Sequence, residues 1–393
     1  MSRIYKRGKT WSFCAYTGKD KDGKYNRKCG GGFRTKKEAE EAAAKVVSEV
    51  SDGTYIQEQS DTTFDQFSKD WLIDYAKAGH SKPVKKGTVR IRTHEVNKLK
   101  HYFNLIKMKD IKRKQYQNAL YDLQERGFAE NTISGVHSTA RMLFGKAVEL
   151  GVIKNDPTEY ARPPKKQETL EDIETAEEIP KYLEKDELST FLKIAHDAGL
   201  YADYTVFLLL AYTGIRIGEL CALKESDVNF QASTLKITRT YYNPTNNIKK
   251  YELVPPKTKA SRRSIEVSSK VMKELTLHIA RQKKAQMKNK NIWHDKGFLF
   301  TSDKYPGYPA YVKLFEGRMA RLLKISGLNP DLTPHSLRHT HTSLLAEAKV
   351  GLEEIMERLG HTDDDITRRI YLHVTKTMKK EAAHKFDQLM NGL

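Results

Sequence analysis

Residues Thr333 to Tyr371 read TPHSLRHTHTSLLAEAKVGLEEIMERLGHTDDDITRRIY, and the punctuation of this stretch decides the fold around it. Thr333 and Pro334 predict an N-cap and first helical residue, which puts His335 and Arg338 on one face of the first turn. Unpaired backbone N–H groups at that end favour an anion. Leu337, Leu344 and Leu345 give the helix an apolar side, a second helix starts near Gly351, and Gly360 stops it with His361 directly behind. Thr362 and Asp363 to Asp365 then spell a new helix start, and Tyr371 follows in an amphipathic segment. A guanidinium, two imidazoles and a phenol can therefore converge on one phosphate.

Taken singly, each residue has an ordinary reading. His339 and His341 read as packing or solvent-facing side chains. His335 and His339 have the i, i+4 spacing of a zinc pair, but no HExxH carboxylate stands between them and no cysteine is near, so no metal is expected.

Upstream, Asp203 to Tyr212 (DYTVFLLLAY) is an apolar helix that runs into Thr213-Gly214-Ile215-Arg216-Ile217-Gly218-Glu219-Leu220. A bend at Gly214 and a new helix put Arg216 and Glu219 on one face, where the carboxylate can hold the guanidinium. An isolated pair of this kind is usually a surface ion pair.

Together, Thr213-Gly214-x-Arg216-x-x-Glu219-Leu220, His335-x-x-Arg338-His339, Leu359-Gly360-His361 and Tyr371, in this order, resemble the tyrosine recombinases, or phage integrase family. The match runs from about Glu184 to the C-terminus and extends more loosely over the chain. Domain order and the PPKTKASRRSI turn are most similar to integrases of conjugative transposons and lambda-type phages.

Composition agrees with a polyanion partner. The 393 residues hold 69 Lys+Arg against 50 Asp+Glu, a net charge of +19, and nucleic acid is the usual partner of such a chain. The longest apolar run, Tyr204 to Tyr212, is too short to span a bilayer, and MSRIYKRGKT lacks a signal-peptide core, so a cytoplasmic protein with no membrane contact is expected. Cys14, Cys29 and Cys221 are too few and scattered for a disulfide framework, which fits a reducing compartment.

The expected fold class is α+β and multidomain: a β-sheet-plus-helix module over 1–55, an all-α domain over 62–160, a Pro-punctuated acidic linker over 161–181, and a mostly α domain with a small antiparallel sheet over 182–393. In the first module, Trp11 to Tyr16 alternates as a strand, Asp22-Gly23 turns into a second from Tyr25 to Cys29, and Thr35-x-x-Glu38 opens a helix to Val50. A three-stranded sheet can enter a DNA major groove. It resembles the arm-site module of the family, with Arg3, Lys6, Arg7, Lys19, Lys21, Lys24, Arg27 and Lys28 as candidate DNA contacts.

Phe64, Phe67, Trp71 and Tyr75 begin a helical pattern that continues over 86–102, 113–126 and 131–150. The four helices resemble the family's core-binding domain, with Lys85, Lys86, Arg90 and Arg92 among its candidate phosphate contacts.

The last domain is expected to carry helices over 185–198, 201–212 and 217–223, strands over 234–241, 250–254, 263–267 and 298–300, and a helix over 311–325. The cationic turn 255–262 corresponds, by resemblance, to the hairpin bearing the catalytic lysine, assigned to Lys257 with Lys259 as rival. Lys259 and Arg262 are further candidate DNA contacts.

The resemblance implies the roles. Tyr371 is the nucleophile, Arg216 and Arg338 clamp the non-bridging oxygens, His335 and His361 donate further bonds, and Lys257 protonates the leaving 5′-oxygen, with Glu219 and His339 in support. It implies a 3′-phosphotyrosyl intermediate, a Holliday junction, no cofactor, and a homo-tetramer on paired double-stranded DNA sites, both core and arm, with an excision factor and a DNA-bending protein as possible helpers. The tail's Met378, Ala382, Phe386 and Leu389 form an amphipathic pattern for packing in cis or on a neighbouring protomer. A type IB topoisomerase and a catalytically inactive DNA-binding regulator are the rival readings.

Overall fold

Strands Ser2–Arg7 (β1), Thr10–Lys19 (β2) and Tyr25–Phe33 (β3) pair antiparallel in the order β1-β2-β3, and helix Lys36–Ser51 (α1) follows. The computed structural model describes residues 2–19, 25–52, 61–78, 83–165, 182–256, 258–361 and 365–375. Thr35 caps α1 as expected, accepting from the Glu38 N–H at 3.2 Å, while the Glu38 carboxylate reaches back to the Arg34 N–H at 3.0 Å, one residue before the cap. Phe13 and Ala15 bury one sheet face against Ala43 of the helix, with Ile4 and Phe33 at the edge.

The register sorts the candidate DNA contacts of this sheet. Ile4 pairs with Phe13 on the helix side, so Arg3, Tyr5 and Arg7 lie on the opposite face, as does Arg27, which pairs with Tyr16. Lys6 pairs with Trp11 and Lys28 with Ala15, which puts both on the helix side of the sheet, Lys6 exposed there and Lys28 half-buried. Lys19 ends β2, and Lys21 and Lys24 lie outside the described residues.

The cysteine reading is also corrected. Register places Cys14 directly opposite Cys29, with Cα atoms 4.0 Å apart, and the two form a disulfide. Spacing along the chain carries no trace of a cross-strand neighbour. Cys221 is free and buried.

Helices Phe64–Lys77 (α2), Lys86–Phe103 (α3), Arg113–Glu125 (α4) and Glu130–Glu149 (α5) form the bundle at the expected positions. Thr63 and Gln66 complete a reciprocal capping box at the start of α2. Phe64, Phe103, Tyr116 and Phe144 form its aromatic centre, with ring centroids 5.9–6.4 Å apart. Lys85, Lys86 and Arg90 are exposed at the start of α3, whereas the candidate contact Arg92 is half-buried and engaged within the bundle. Its guanidinium points inward, 2.8 Å from both Glu95 Oε2 and Thr139 Oγ1.

The chain divides into two compact units, Met1–Ile173 and Glu174–Leu393, with the sheet module and the bundle in the first. Most of the expected linker lies outside the described residues, as does the tail beyond residue 375. Among the described residues no helix is long and apolar enough to cross a membrane.

The second unit is built on helices Lys185–Asp197 (α6), Asp203–Thr213 (α7), Ile217–Cys221 (α8), Ser269–Lys288 (α9), Val312–Ser326 (α10), Ser336–Glu347 (α11), Leu352–Leu359 (α12) and 365–375 (α13). Helix α7 is apolar on every side, and Val206 to Ala211 are all buried, so it is the axis on which the others pack.

The strands differ from expectation in an informative way. Val228–Asn229 (β4), Thr234–Ile237 (β5) and Arg263–Glu266 (β8) make one sheet, while Thr240–Tyr242 (β6) and Glu252–Val254 (β7) make another. The predicted strand 234–241 thus breaks at 238–239, and β7 and β8 do not pair with each other. Ile237 pairs with Arg263 and Thr240 with Val254, so one long hairpin is interrupted and the turn 255–262 bulges opposite 238–239. Residues 298–300 form no strand: an isolated bridge joins Phe298 to Lys224, and Phe300 accepts from the Ala310 N–H at 2.9 Å.

Candidate active site

The apolar run of α7 ends at Gly214, whose φ of 62° is left-handed. A Cβ at this position would lie 2.6 Å from Leu359 Cδ2 and 2.7 Å from His341 Cδ2, so conformation and packing both require glycine. The chain turns there, buries Ile215, and starts α8 with Arg216 as its cap. Glu219 receives the Arg216 backbone N–H at 3.0 Å on Oε2 and Arg216 Nη1 at 3.0 Å on Oε1. The pairing expected from spacing is therefore present, but it is no surface pair: the carboxylate side chain is 1% exposed, the arginine 31%.

Burial alone would raise the Glu219 pKa. The Arg263 charge, the Arg216 N–H and the Arg216 charge outweigh it and hold the carboxyl below its ordinary range. Glu219 is thus a fixed anion behind a half-open guanidinium.

Helix α11 begins later than expected. Thr333 does not cap it; the Thr333 N–H donates to Ser336 Oγ at 3.1 Å and the Ser336 N–H to the Thr333 carbonyl at 2.8 Å, forming a turn. His335 occupies the cap position with helical angles, exposed, and its ring meets that of half-buried His339 edge-on at 4.9 Å.

Arg338, 2% exposed, donates from Nη1 to the Gly214 carbonyl at 2.6 Å and from Nη2 to the Leu359 carbonyl at 2.7 Å and His361 Nε2 at 2.5 Å. A guanidinium has no acceptor. His361 Nε2 therefore accepts, which puts the ring proton on Nδ1, facing Thr367 Oγ1 of α13 at 3.1 Å. In this arrangement His361 orients Arg338, with Nε2 facing the guanidinium.

His341 is a satisfied core histidine. Nδ1 faces the Ala211 carbonyl at 2.8 Å and Nε2 accepts from Arg358 Nε at 3.0 Å. Burial, then the Arg358 charge, push its pKa down to about 3, so it is neutral at physiological pH. Its packing reading is right, and it serves as a spacer between α7 and α12.

Gly360 repeats the lesson of Gly214. Its φ is 71°, and a Cβ there would stand 2.9 Å from Ser261 Cα and 3.0 Å from the Ala260 carbonyl oxygen. The turn before His361 thus presses on the cationic bulge, and Ser261 Oγ donates to the Gly360 carbonyl at 3.3 Å. Lys259 and Arg262 are exposed on the bulge, and Lys257 lies outside the described residues.

Tyr371, on α13, is half-buried against the cluster of Ala346, Ile355, Leu359 and Val374. Its hydroxyl has no hydrogen-bond partner among the described residues. The structure therefore holds Arg216 and Glu219 in one set of hydrogen bonds and Arg338 and His361 in another, the second anchored on Gly214, two residues before Arg216, with His335 at the head of the helix bearing Arg338 and Tyr371 on the cluster that includes Leu359. Sequence reasoning missed Arg263, Arg358 and Thr367. Alternation in the Arg263–Val267 strand, which puts Arg263 on the face of buried Ile265, was the available signal for the first.

Two arginines, one held by a buried carboxylate and one by main-chain carbonyls and a histidine, thus lie in the same unit as Tyr371, whose hydroxyl has no partner among the described residues. Residues 181–378 match the phage integrase family, and residues 3–50 match an Arm DNA-binding domain. The integrase of Staphylococcus phage L54a is 31% identical over 306 residues, covering 72% of this chain and 85% of that protein. The Tn1549 transposon integrase, solved in complex with transposon right end DNA, superposes with a TM-score of 0.63 at 21% identity, over 82% of this chain and 100% of that one. A lambda integrase dimer bound to a COC′ core site gives 0.54 at 17%, over 94% of each. The chain belongs to the phage integrase family and is a tyrosine recombinase. The topoisomerase and regulator readings have no counterpart among these relatives.

Proposed function

We propose that this recombinase integrates and excises a mobile genetic element, with Tyr371 as the attacking group. The phenol loses its proton to His335 or a phosphate oxygen, the tyrosyl O–P bond forms, and the bond from phosphorus to the 5′-oxygen breaks. Lys257 gives that oxygen its proton, leaving a 3′-phosphotyrosyl ester and a free 5′-hydroxyl. A 5′-hydroxyl of a second duplex reverses the steps through a Holliday junction. Arg216 and Arg338 meet the charge that the pentacoordinate phosphorus gathers.

The observation that carries this reading is the fixation of Arg338 by the Gly214 and Leu359 carbonyls and His361, with Arg216, two residues past Gly214, fixed in turn by Glu219. The first module reads arm sites through Arg3, Arg7 and Arg27, and the bundle with the second unit binds core sites. A tetramer on two paired sites performs the exchange in the cytoplasm, with an excision factor and a bending protein setting direction.

Two duplexes carrying the element's ends are expected to yield recombinant joints with this protein, and a nicked suicide duplex a denaturant-resistant adduct. Relaxation of one supercoiled circle without joints between duplexes would instead support the topoisomerase reading.

The lysine assignment has its own test. Lys257→Ala is expected to slow cleavage about a hundredfold or more on an ordinary duplex, within the range of general acid catalysis. A 5′-bridging sulfur should restore the rate, because a thiolate, with a parent pKa near 8.5, leaves without a donated proton. Lys259→Ala should change cleavage little. The reverse pattern moves the role to Lys259.

A further inference from the structure

We infer that Arg263 is a positioning residue of the recombination chemistry, its one guanidinium setting the geometry of Arg216, of the turn around Ser261 and of the turn bearing His361. This rests on the site reading above and deepens it.

The observation is a convergence of distant segments on one side chain. Arg263 Nη2 donates to Glu219 Oε2 at 3.2 Å, and the same carboxylate holds Arg216 through Oε1. Nη1 donates to the Ser261 carbonyl at 3.0 Å, inside the cationic bulge. Nε donates to the Arg358 carbonyl at 2.7 Å, just before Leu359-Gly360-His361. The Gly360 turn also packs on the arginine's stem, since a Cβ at Gly360 would lie 3.2 Å from Arg263 Cδ.

Stability alone is a poor explanation for this group. The Arg263 side chain is 7% exposed and its Glu219 partner 1%, so both charges have been taken out of water. The attraction between such charges often only offsets their desolvation, and apolar side chains of similar volume hold a core as well. What apolar side chains cannot supply is direction. A planar fork aims N–H groups at fixed angles, and here each acceptor belongs to a segment with its own task at the phosphate. Arg263 also touches no reacting atom in this scheme, so its effect must pass through Glu219 and the two turns.

Glu219 gives a readout that a mere packing role would not move. The charged groups facing it are Arg216 and Arg263, and the Arg263 charge is the largest influence holding its pKa down. Without that charge, burial pushes the Glu219 pKa up. Glu219 must be ionised to hold Arg216, so activity is lost as pH falls through the raised value, and the acid limb of the cleavage profile shifts to higher pH.

The experiment is single-turnover cleavage of a nicked suicide duplex by the full chain, for wild type, Arg263→Met, Arg263→Lys, Glu219→Gln and the Arg263→Met/Glu219→Gln pair. The single variants should each cleave about a hundredfold more slowly, the scale of a lost transition-state contact. Duplex affinity should stay within about twofold, and the double variant should lose no more than the worse single one, as coupled neighbours do. The acid limb of Arg263→Met should move to higher pH. Cleavage by Arg263→Met within about threefold of wild type, or losses that multiply in the double variant, overturns the inference. If Arg263→Met melts more than about 10 °C lower, Arg263→Lys, which keeps the charge and loses the fork, decides on the same criteria. Absence of an adduct from wild type would remove the site reading itself, whereas a wild-type adduct with unaffected Arg263 variants removes only the inference.

Discussion

Tyr371→Phe is expected to abolish the denaturant-resistant protein–DNA adduct, lowering cleavage of a suicide duplex by more than about ten-thousand-fold, the scale set by removal of a catalytic nucleophile. The substitution deletes one oxygen and keeps the ring. That ring packs on the cluster of Ala346, Ile355, Leu359 and Val374, and its hydroxyl has no partner among the described residues. Among the described residues no polar group loses a bond, so folding stability should move by no more than about 0.5 kcal/mol. Duplex affinity should also hold, because the groups placed at the phosphate are cationic and remain. An unchanged melting curve and gel shift with no covalent band would locate the effect in the chemistry. A covalent band from the phenylalanine variant at a rate near wild type would move the nucleophile to another residue.

Much of this site was legible because its geometry is enforced locally. Gly214 and Gly360 end helices in left-handed conformations, a pattern readable from chain punctuation, and Arg216 with Glu219 follows from helical spacing. The bundle was legible for the same reason: its apolar positions repeat at helical intervals, and its helix limits fall where the pattern places them.

What the sequence hid depends on pairing between distant segments. The register that sets Cys14 against Cys29, and turns Lys6 and Lys28 toward α1, belongs to a ladder of main-chain bonds that spacing does not encode. Arg92 reads as one more cation on a basic helix until Glu95 and Thr139 are placed beside it. The strand over 234–241 reads as continuous because β5 and β6 are both β-prone, while the break between them is imposed by the bulge across the ladder. Arg263 hides for the same reason, since the acceptors Glu219 and Arg358 come from other elements.

The second large effect is expected from Arg338→Lys, a change that keeps the charge. Arg338 serves the Gly214 and Leu359 carbonyls and His361 at once, from two nitrogens of a rigid plane. An ammonium on a flexible stem is a single point of donation and cannot reach all of them in the same directions. Any carbonyl left without its donor in this buried place costs about 1–3 kcal/mol, so the variant should melt several degrees lower. Cleavage should fall further than stability, by roughly a hundred- to a thousandfold at a temperature where the variant is folded, because a fork on the transition-state oxygens is lost as well. The two losses separate in the assay: raising duplex concentration should not restore the single-turnover rate, since the missing contact acts after binding. A lysine variant that cleaves within about threefold of wild type would show that charge suffices at this position and that the hydrogen bonds around it only pack the core.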